Sequence, residues 1–370
     1  MLTEIAGEGM LEEVVVPFLD WYRENKRDLP WRKDRNPYYI WVSEIMLQQT
    51  RVEAVKPYFE NFVRELPDVS ALAACPEERL LKLWEGLGYY NRVRNMQKAA
   101  AVVTEQYSGI LPADYRALLD LPGIGSYTAG AVASIAYGIP EPAVDGNVLR
   151  VLARIRTDER DMSRQSVRRG IEEELRKIMP SDAPGEFNQA LMEIGAVICL
   201  PGGAPRCEAC PARGICRAES AGTQRMYPVR KEKKPRRIEE KTVLLILDGE
   251  KAALKKRPSR GLLAGMYEFP NLPGQLKEEE VLDQVRGFGL MPLHIRRLTE
   301  AKHIFSHVEW HMTGYAVRVA SLDASSGEDL LLVPVNEIRA RYPVPSAFEA
   351  YADYINLHLG AEKKIQRMEK

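Results

Sequence analysis

Net charge is the first thing this chain lacks: 52 lysines and arginines stand against 52 aspartates and glutamates in 370 residues. Any polyanionic partner must then be met by local patches and not by a global field. Long apolar runs are missing too, none reaching the roughly eighteen uninterrupted residues of a membrane helix. The start, "MLTEIAGEGMLEE", is acidic and carries neither the basic region nor the apolar run of a secretion signal. These absences place the protein in the cytosol, as a cytoplasmic chain with no membrane partner. Cysteine is scarce, five residues in all, and in a reducing compartment structural disulfides are disfavoured. No internal repeat is visible, and low complexity is confined to one basic stretch.

What is present suits two domains in length. From residue 11 to about 220 the apolar spacing is helical, as in "LLKLWEGLGYYNRVRNMQKAAAVVTEQY" and "VRRGIEEELRKIM". Near Tyr227 the texture changes to "YPVRKEKKPRRIEEK", with Arg230, Lys231, Lys233, Lys234, Arg236 and Arg237. Such a run reads as a solvated linker whose cations can also lie near phosphates. Beyond it, "KTVLLILDG" and "AALKKRP" predict a strand pair around Asp248-Gly249, and "HIFSHVEWHMTGYAVRV" predicts a second pair turning near Gly314. Helical stretches at "EEEVLDQVRGFG" and "VPSAFEAYADYINLHL" complete an α+β domain.

Four cysteines crowd into "CLPGGAPRCEACPARGIC": Cys199, Cys207, Cys210 and Cys216, spaced C-x7-C-x2-C-x5-C. Four thiolates in a loop-rich segment fit tetrahedral zinc or an iron-sulfur cluster. Zinc sites tend to pair two short knuckles, and the single Cys-x2-Cys here tilts the choice toward iron-sulfur. Cys75 stands apart and reads as a small buried apolar residue.

"LPGIGSYTAG" reads as a turn that opens a helix. Gly123 and Gly125 allow positive φ and close approach of the main chain to a partner. Amides at the helix start point outward with the positive end of its dipole, which suits a phosphate. On its own, a Gly-x-Gly turn also serves as an ordinary loop between helices.

In order along the chain, "WVSEIMLQQTRVEAV", "LWEGLGYYNRVRN", this hairpin, "EPAVDGNVLRV" and the four cysteines resemble the helix-hairpin-helix DNA glycosylases that carry a 4Fe-4S cluster, and among them the adenine DNA glycosylases of the MutY type. The resemblance covers nearly the whole chain. It implies a mostly α helix-hairpin-helix glycosylase domain over 1–226, with the cluster loop at 199–216, then a basic linker over 227–239. A C-terminal α+β Nudix-like domain follows over 240–362, with a tail at 363–370. The family's first cysteine gap is usually six residues, and here it is seven, with "PGG" inside. Relatives of the endonuclease III type place a lysine where Tyr127 stands, and its amine attacks the sugar and leads to strand cleavage. Tyr127 cannot form that Schiff base, so the resemblance implies a monofunctional enzyme.

Breaking an N-glycosidic bond to adenine calls for an acid at the base and negative charge at the sugar, the task that paired carboxylates perform in glycosidases. Glu44 and Asp145 are the expected pair. Trp41, Ile45 and Leu47 make the surroundings of Glu44 apolar, and partial burial would keep it protonated near neutrality. Asp145 in "VDGN" reads as a helix cap, whose amide donors would keep it ionised. By residue type alone, Glu44 reads first as an ion-paired surface glutamate, and Asp145 as a plain cap, a role compatible with catalysis. The resemblance implies that Glu44 protonates the base, that Asp145 stabilises or bonds to the oxocarbenium ion, and that Tyr127 and Asn147 support that intermediate. It implies an adenine pocket from Arg27, Leu29, Trp31, Arg32, Leu47, Val52, Gln189 and Met192. Gln49, Thr50, Leu87 and Tyr89 would lie at the DNA, with Gln49 and Tyr89 entering the stack that opens when the base is flipped out. Gly123 and Gly125 would hold backbone phosphates. The implied partner is double-stranded DNA containing adenine opposite 8-oxoguanine or guanine, met by a monomer.

"GLLAGMYEFPNLPG" resembles the Nudix hydrolases, but their Arg-Glu-x-x-Glu-Glu helix is missing, which excludes nucleotide hydrolysis. The loop Phe305, Ser306 and His307 would instead read the lesion opposite the adenine, with Ser306 on its altered edge. His303, His307 and His311 recur every fourth residue, a span of about 13 Å on a strand, so no metal is assigned to them. A bifunctional lyase and a non-catalytic DNA-binding protein are the competing readings.

Overall fold

A computed structural model describes residues 8–229, 235–322, 330–357 and 359. Linker residues 230–234 and the tail at 363–370 lie outside the described residues. Among the described residues, no helix is long and apolar enough to cross a membrane. The chain forms two compact units, Met1–Ala74 with Arg94–Lys233, and Cys75–Val93 with Lys234–Lys370. The segment Cys75–Val93 therefore packs with the C-terminal part of the chain.

The first unit is helical. Val52–Glu65 buries Val55, Tyr58, Phe59 and Phe62 along one stripe, the pattern of a helix with one side in water. Pro37–Leu47, Ser126–Tyr137 and Pro184–Val197 bury most of their length and form the centre. Pro184–Val197 packs against Val15–Asn25, Ser126–Tyr137 and Gly146–Arg156. Their apolar side chains, among them Phe18, Leu152, Phe187 and Leu191, build a core that reaches Ala212 and Cys216 in the cysteine loop.

The expected hairpin joins Tyr115–Leu119, capped by Asp114, to Ser126–Tyr137. Its two glycines do different work. Gly123 is left-handed at φ 76°, and a Cβ there would meet Asn95 Cβ at 2.6 Å. Gly125 is extended, with open space where a Cβ would stand, and it caps the helix. Only Gly123 needs glycine's conformational freedom.

Among its described residues, the second unit holds a mixed sheet of eight strands: β1 Arg237–Asp248, β2 Lys251–Lys256, β3 Tyr267–Glu268, β4 Asn271–Pro273, β5 Pro292–Arg297, β6 Ala301–Ile304, β7 Val308–Val319 and β8 Leu331–Pro334. β1 and β2 pair around Asp248-Gly249 as expected. β1 and β7 run parallel, with Val243 beside Gly314. Val243 and Leu245 face Trp310, Phe348 and Tyr351, while Leu244 and Ile246 face Val281, Val285 and Val317. A sheet covered on both faces explains why "VLLIL" is uninterrupted and does not alternate.

The turn expected near Gly314 is not there. The β6–β7 turn is at Phe305–His307, and Gly314 lies inside β7. A Cβ at Gly314 would stand 2.1 Å from Tyr351 Cε1, so this glycine admits a ring and makes no bend. The three histidines likewise do not share one strand: His303 is on β6, His307 in the turn and His311 on β7, where it bonds Glu309 at 2.7 Å.

Candidate active site

Asn36 accepts from the Tyr38 amide and Pro37 sets the first turn, so a helix starts there and runs to Leu47. Its apolar residues pull the whole helix inside, and Glu44 goes with them at 6% exposure. Tyr127, in the first turn of Ser126–Tyr137, donates its hydroxyl hydrogen bond to Glu44 Oε2 and sits 3.3 Å from Met192 Sδ. Burial pushes the Glu44 carboxyl up to about 7, with the Tyr127 hydrogen bond opposing and the Asp145 charge adding to the rise. Burial and then the same carboxylates raise the Tyr127 phenol.

Asp145 is the N-cap of Gly146–Arg156, as its sequence suggested. One oxygen accepts from the amides of Asn147 and Val148, both at 2.8 Å, and the other accepts from Asn147 Nδ2 at 2.7 Å. These donors favour the charged form. Burial raises the carboxyl, and the donors with Arg150 only partly offset that rise. Asn147 is in turn fixed by Arg150, which donates to its Oδ1 at 2.8 Å and to the Gly195 and Cys199 carbonyls at 2.7 and 2.8 Å. Gly195 lets the two helices approach, since a Cβ there would meet Asn147 Cβ at 2.5 Å.

Glu44, Tyr127, Asp145 and Asn147 line one cavity of about 480 Å³. All eight expected pocket residues line it too, as do Gln49 and Thr50. Leu29 and Trp31 are buried in its wall, with Trp31 edge-on to Phe59 at 5.4 Å. Gln49 is exposed and left-handed at φ 61°.

The arginines of "RDLPWR" line the cavity and share one acidic partner. Both pair with Glu193, Arg27 Nε at 2.5 Å and Arg32 Nη2 at 2.7 Å, and the Glu193 side chain is 1% exposed. Burial alone would raise the Glu193 carboxyl, but the bonds from Arg27 and Arg32 outweigh it and hold it below the ordinary range. Sequence reasoning missed Glu193, although a lone acid inside the apolar run "ALMEIGAV" is a signal that it must be paired. Ser43 and Arg168 also line the cavity and were missed.

Other expected residues lie elsewhere. Gly123 and Gly125 are outside the cavity, at the hairpin. Leu87 is buried at 6% exposure, its amide donating to the Trp84 carbonyl and its carbonyl accepting from Arg92, both at 3.1 Å. Tyr89 is 47% exposed. Ser306 and His307 are exposed in the β6–β7 turn, while the Phe305 ring packs on Trp310 at 4.8 Å.

Cys199, Cys207, Cys210 and Cys216 line one small apolar pocket and form no disulfide. Among the described residues, no three His, Cys, Asp or Glu side chains group as a lone metal ion would need. Arg154 donates to Cys199 Sγ at 3.2 Å and to the Leu200 carbonyl at 3.0 Å. Burial, with the neighbouring thiols adding to it, raises the thiols of Cys207, Cys210 and Cys216. Within the first gap of the loop, residues 201–204 are all exposed.

Residues 42–177 match the family model of the HhH-GPD superfamily base excision DNA repair proteins, and 242–354 match the NUDIX domain. The chain is 36% identical over 352 residues to a human adenine DNA glycosylase, covering 79% of this chain and 64% of that enzyme. It is 34% identical over 294 residues to an adenine DNA glycosylase of Buchnera aphidicola, covering 78% and 82%. The structure of a thermostable thymine-DNA glycosylase superposes with a TM-score of 0.53 at 29% identity, covering 58% of this chain and 99% of that one. This chain thus spans less than two thirds of the human relative and more than four fifths of the Buchnera one.

Proposed function

Since this chain belongs to the adenine DNA glycosylase family, we propose that it excises adenine opposite 8-oxoguanine or guanine from double-stranded DNA and leaves the strand intact. The observation that carries the reading is the pairing of carboxyls in one cavity. Glu44 is buried with its pKa near neutrality, and Asp145 receives three hydrogen bonds that favour its charged form.

Adenine within a duplex is out of reach, so the nucleotide is flipped into the cavity between Leu29, Trp31 and Met192. Glu44 gives its proton to the ring, and the electron pair of the breaking C–N bond leaves with the base. Asp145 faces the sugar cation that remains, and water completes the hydrolysis at the anomeric carbon. Tyr127, hydrogen-bonded to Glu44, acts on the acid side, while Asn147 orients Asp145. The Arg27–Glu193–Arg32 network supports the wall and does not grip the base. Gln49, Thr50 and Tyr89 lie at the opened stack, Gly123 and Gly125 at the phosphates. The turn Phe305–His307 reads the lesion, with Ser306 as the donor to its altered edge.

Cys199, Cys207, Cys210 and Cys216 are the residues that would hold a 4Fe-4S cluster, since all four line one apolar pocket beside Arg154. Bound there, it would hold the loop 199–216 together beside Arg154 of the helix Gly146–Arg156.

Single-turnover adenine release from duplexes with A opposite 8-oxoguanine, G and T tests this function. Fast release from the first, slower from the second and none from the third is expected. Borohydride trapping of a covalent adduct would favour a lyase, and intact adenine throughout would overturn the reading.

A further inference from the structure

Within the second unit, the helix Glu77–Leu83 and the turn after it are tied to chain far downstream. Glu78 accepts from Lys256 Nζ at 2.6 Å and from the Tyr267 hydroxyl at 2.8 Å. Glu78 and Lys256 are half in water, and such pairs are weak. Glu85 is different. It is 7% exposed, and its two oxygens accept from Lys82 Nζ at 2.6 Å and from the Val344 amide at 2.8 Å. Lys82 also donates to the Tyr342 carbonyl at 3.1 Å. Burial raises the Glu85 carboxyl, with Lys82 and the amide opposing. A buried ion pair is an expensive way to join two segments, and apolar packing would do it as well. Its directionality is what apolar contact lacks.

The turn after Glu85 is where direction matters. Gly86, Gly88 and Tyr89 have φ of 95°, 71° and 49°. A left-handed tyrosine is a local strain that persists only when its surroundings dictate it. Trp84 Nε1 bonds the Gly88 carbonyl at 3.1 Å, and Arg92 donates to the carbonyls of Leu87 and Gly88, also at 3.1 Å. The Arg92 guanidinium lies 5.6 Å from the exposed Tyr89 ring. Tyr89 is thus an exposed ring on a rigid arm, and Glu85 is the base of that arm.

We propose that Glu85 is a positioning residue: through Lys82 and the Val344 amide it makes the turn that aims Tyr89 part of the body that carries Ser306. Placement of the wedge then follows engagement of the lesion, and Glu85 sets the preference for 8-oxoguanine over guanine. This rests on the reading of Tyr89 and Ser306 given above.

The test is a double-mutant cycle on the full chain, scored by the ratio of single-turnover adenine release opposite 8-oxoguanine to that opposite guanine. Glu85→Ala is expected to lower the ratio about fivefold, and Glu85→Ala with Tyr89→Ala to lower it no further than Tyr89→Ala alone. A residue that merely holds the fold would slow both substrates alike, and an unchanged ratio or an additive double variant overturns the proposal. Fluorescence of 2-aminopurine beside the 8-oxoguanine reports wedge insertion without excision. Its rise should fall in Glu85→Ala as it does in Tyr89→Ala, and an undiminished rise refutes the coupling. Absence of adenine release by the native chain, with the fluorescence coupling intact, would sink the glycosylase reading and keep the role of Glu85. Should Glu85→Ala not fold, Glu85→Gln keeps an acceptor for the amide and carries the same cycle, with about a twofold loss expected.

Discussion

In the first unit, Glu44, Asp145, Asn147 and Glu193 are each held by named donors inside a shielded cavity. In the second unit, the Phe305–His307 turn is anchored by the Phe305 ring on Trp310 and by the His307 carbonyl, which accepts from the Arg237 amide, while the exposed Ser306 hydroxyl lies 3.2 Å from His307 Nδ1. Acid catalysis needs a proton held at the right affinity, which only a fixed, dry environment supplies. Recognition of a base edge needs an exposed donor on a firm base, and its surroundings contribute little until the partner arrives. The two regions should therefore differ by orders of magnitude in their tolerance of substitution.

The largest expected effect is on chemistry. Glu44→Gln keeps the shape and removes the proton, and single-turnover release should fall about 10³-fold, in the range of a lost general acid. Native activity should also decline as pH rises through about 7, where Glu44 gives up its proton. A rate within tenfold of native would mean that the cavity is no more demanding than the turn.

Next comes stability. Glu193→Ala leaves Arg27 and Arg32 unpaired, and urea unfolding should show a loss of about 3 kcal/mol. A surface-like loss of a few tenths would break the contrast between the regions.

The pH dependence of stability sharpens it further. Because Glu44 keeps its proton in the fold up to about 7 while the unfolded chain releases it near 4.5, its contribution is full below 4.5 and is lost as pH rises to 7. Glu44→Gln removes that decline, so the inactive variant should gain about 3 kcal/mol on the native chain between pH 4 and pH 8. Parallel pH profiles of Tm for the two proteins would contradict the burial assigned to Glu44. The smallest effect belongs to the turn: Ser306→Ala should cost one hydrogen bond, about 1 kcal/mol or roughly fivefold in preference for 8-oxoguanine, with Tm unchanged.

Much of the cavity was legible because its parts are local. The apolar neighbours of Glu44 announce a buried acid, and "VDGN" announces a cap at Asp145. Glu193 was overlooked because its partners, Arg27 and Arg32, are 166 and 161 residues away. The net rise of the Asp145 carboxyl depends on burial, which its four-residue signature does not contain. Gly314 was misread as a turn for a related reason: the ring of Tyr351, which it admits, comes from a distant segment. The grouping of Cys75–Val93 with the C-terminal unit rests on long-range proximity, and nothing in its helical spacing reports it.

That grouping also sets an order of events on the ribosome. Glu85 is made 259 residues before the Val344 amide that satisfies it. At about 5–20 residues per second, roughly fifteen seconds to a minute of synthesis separates them. Throughout that interval the carboxylate has every reason to stay in water, and the turn bearing Tyr89 has only its local bonds from Trp84 and Arg92 to hold its geometry. The arm is therefore completed only after Val344 has emerged, and a nascent chain stalled before it would carry Glu85 without the amide that locks it.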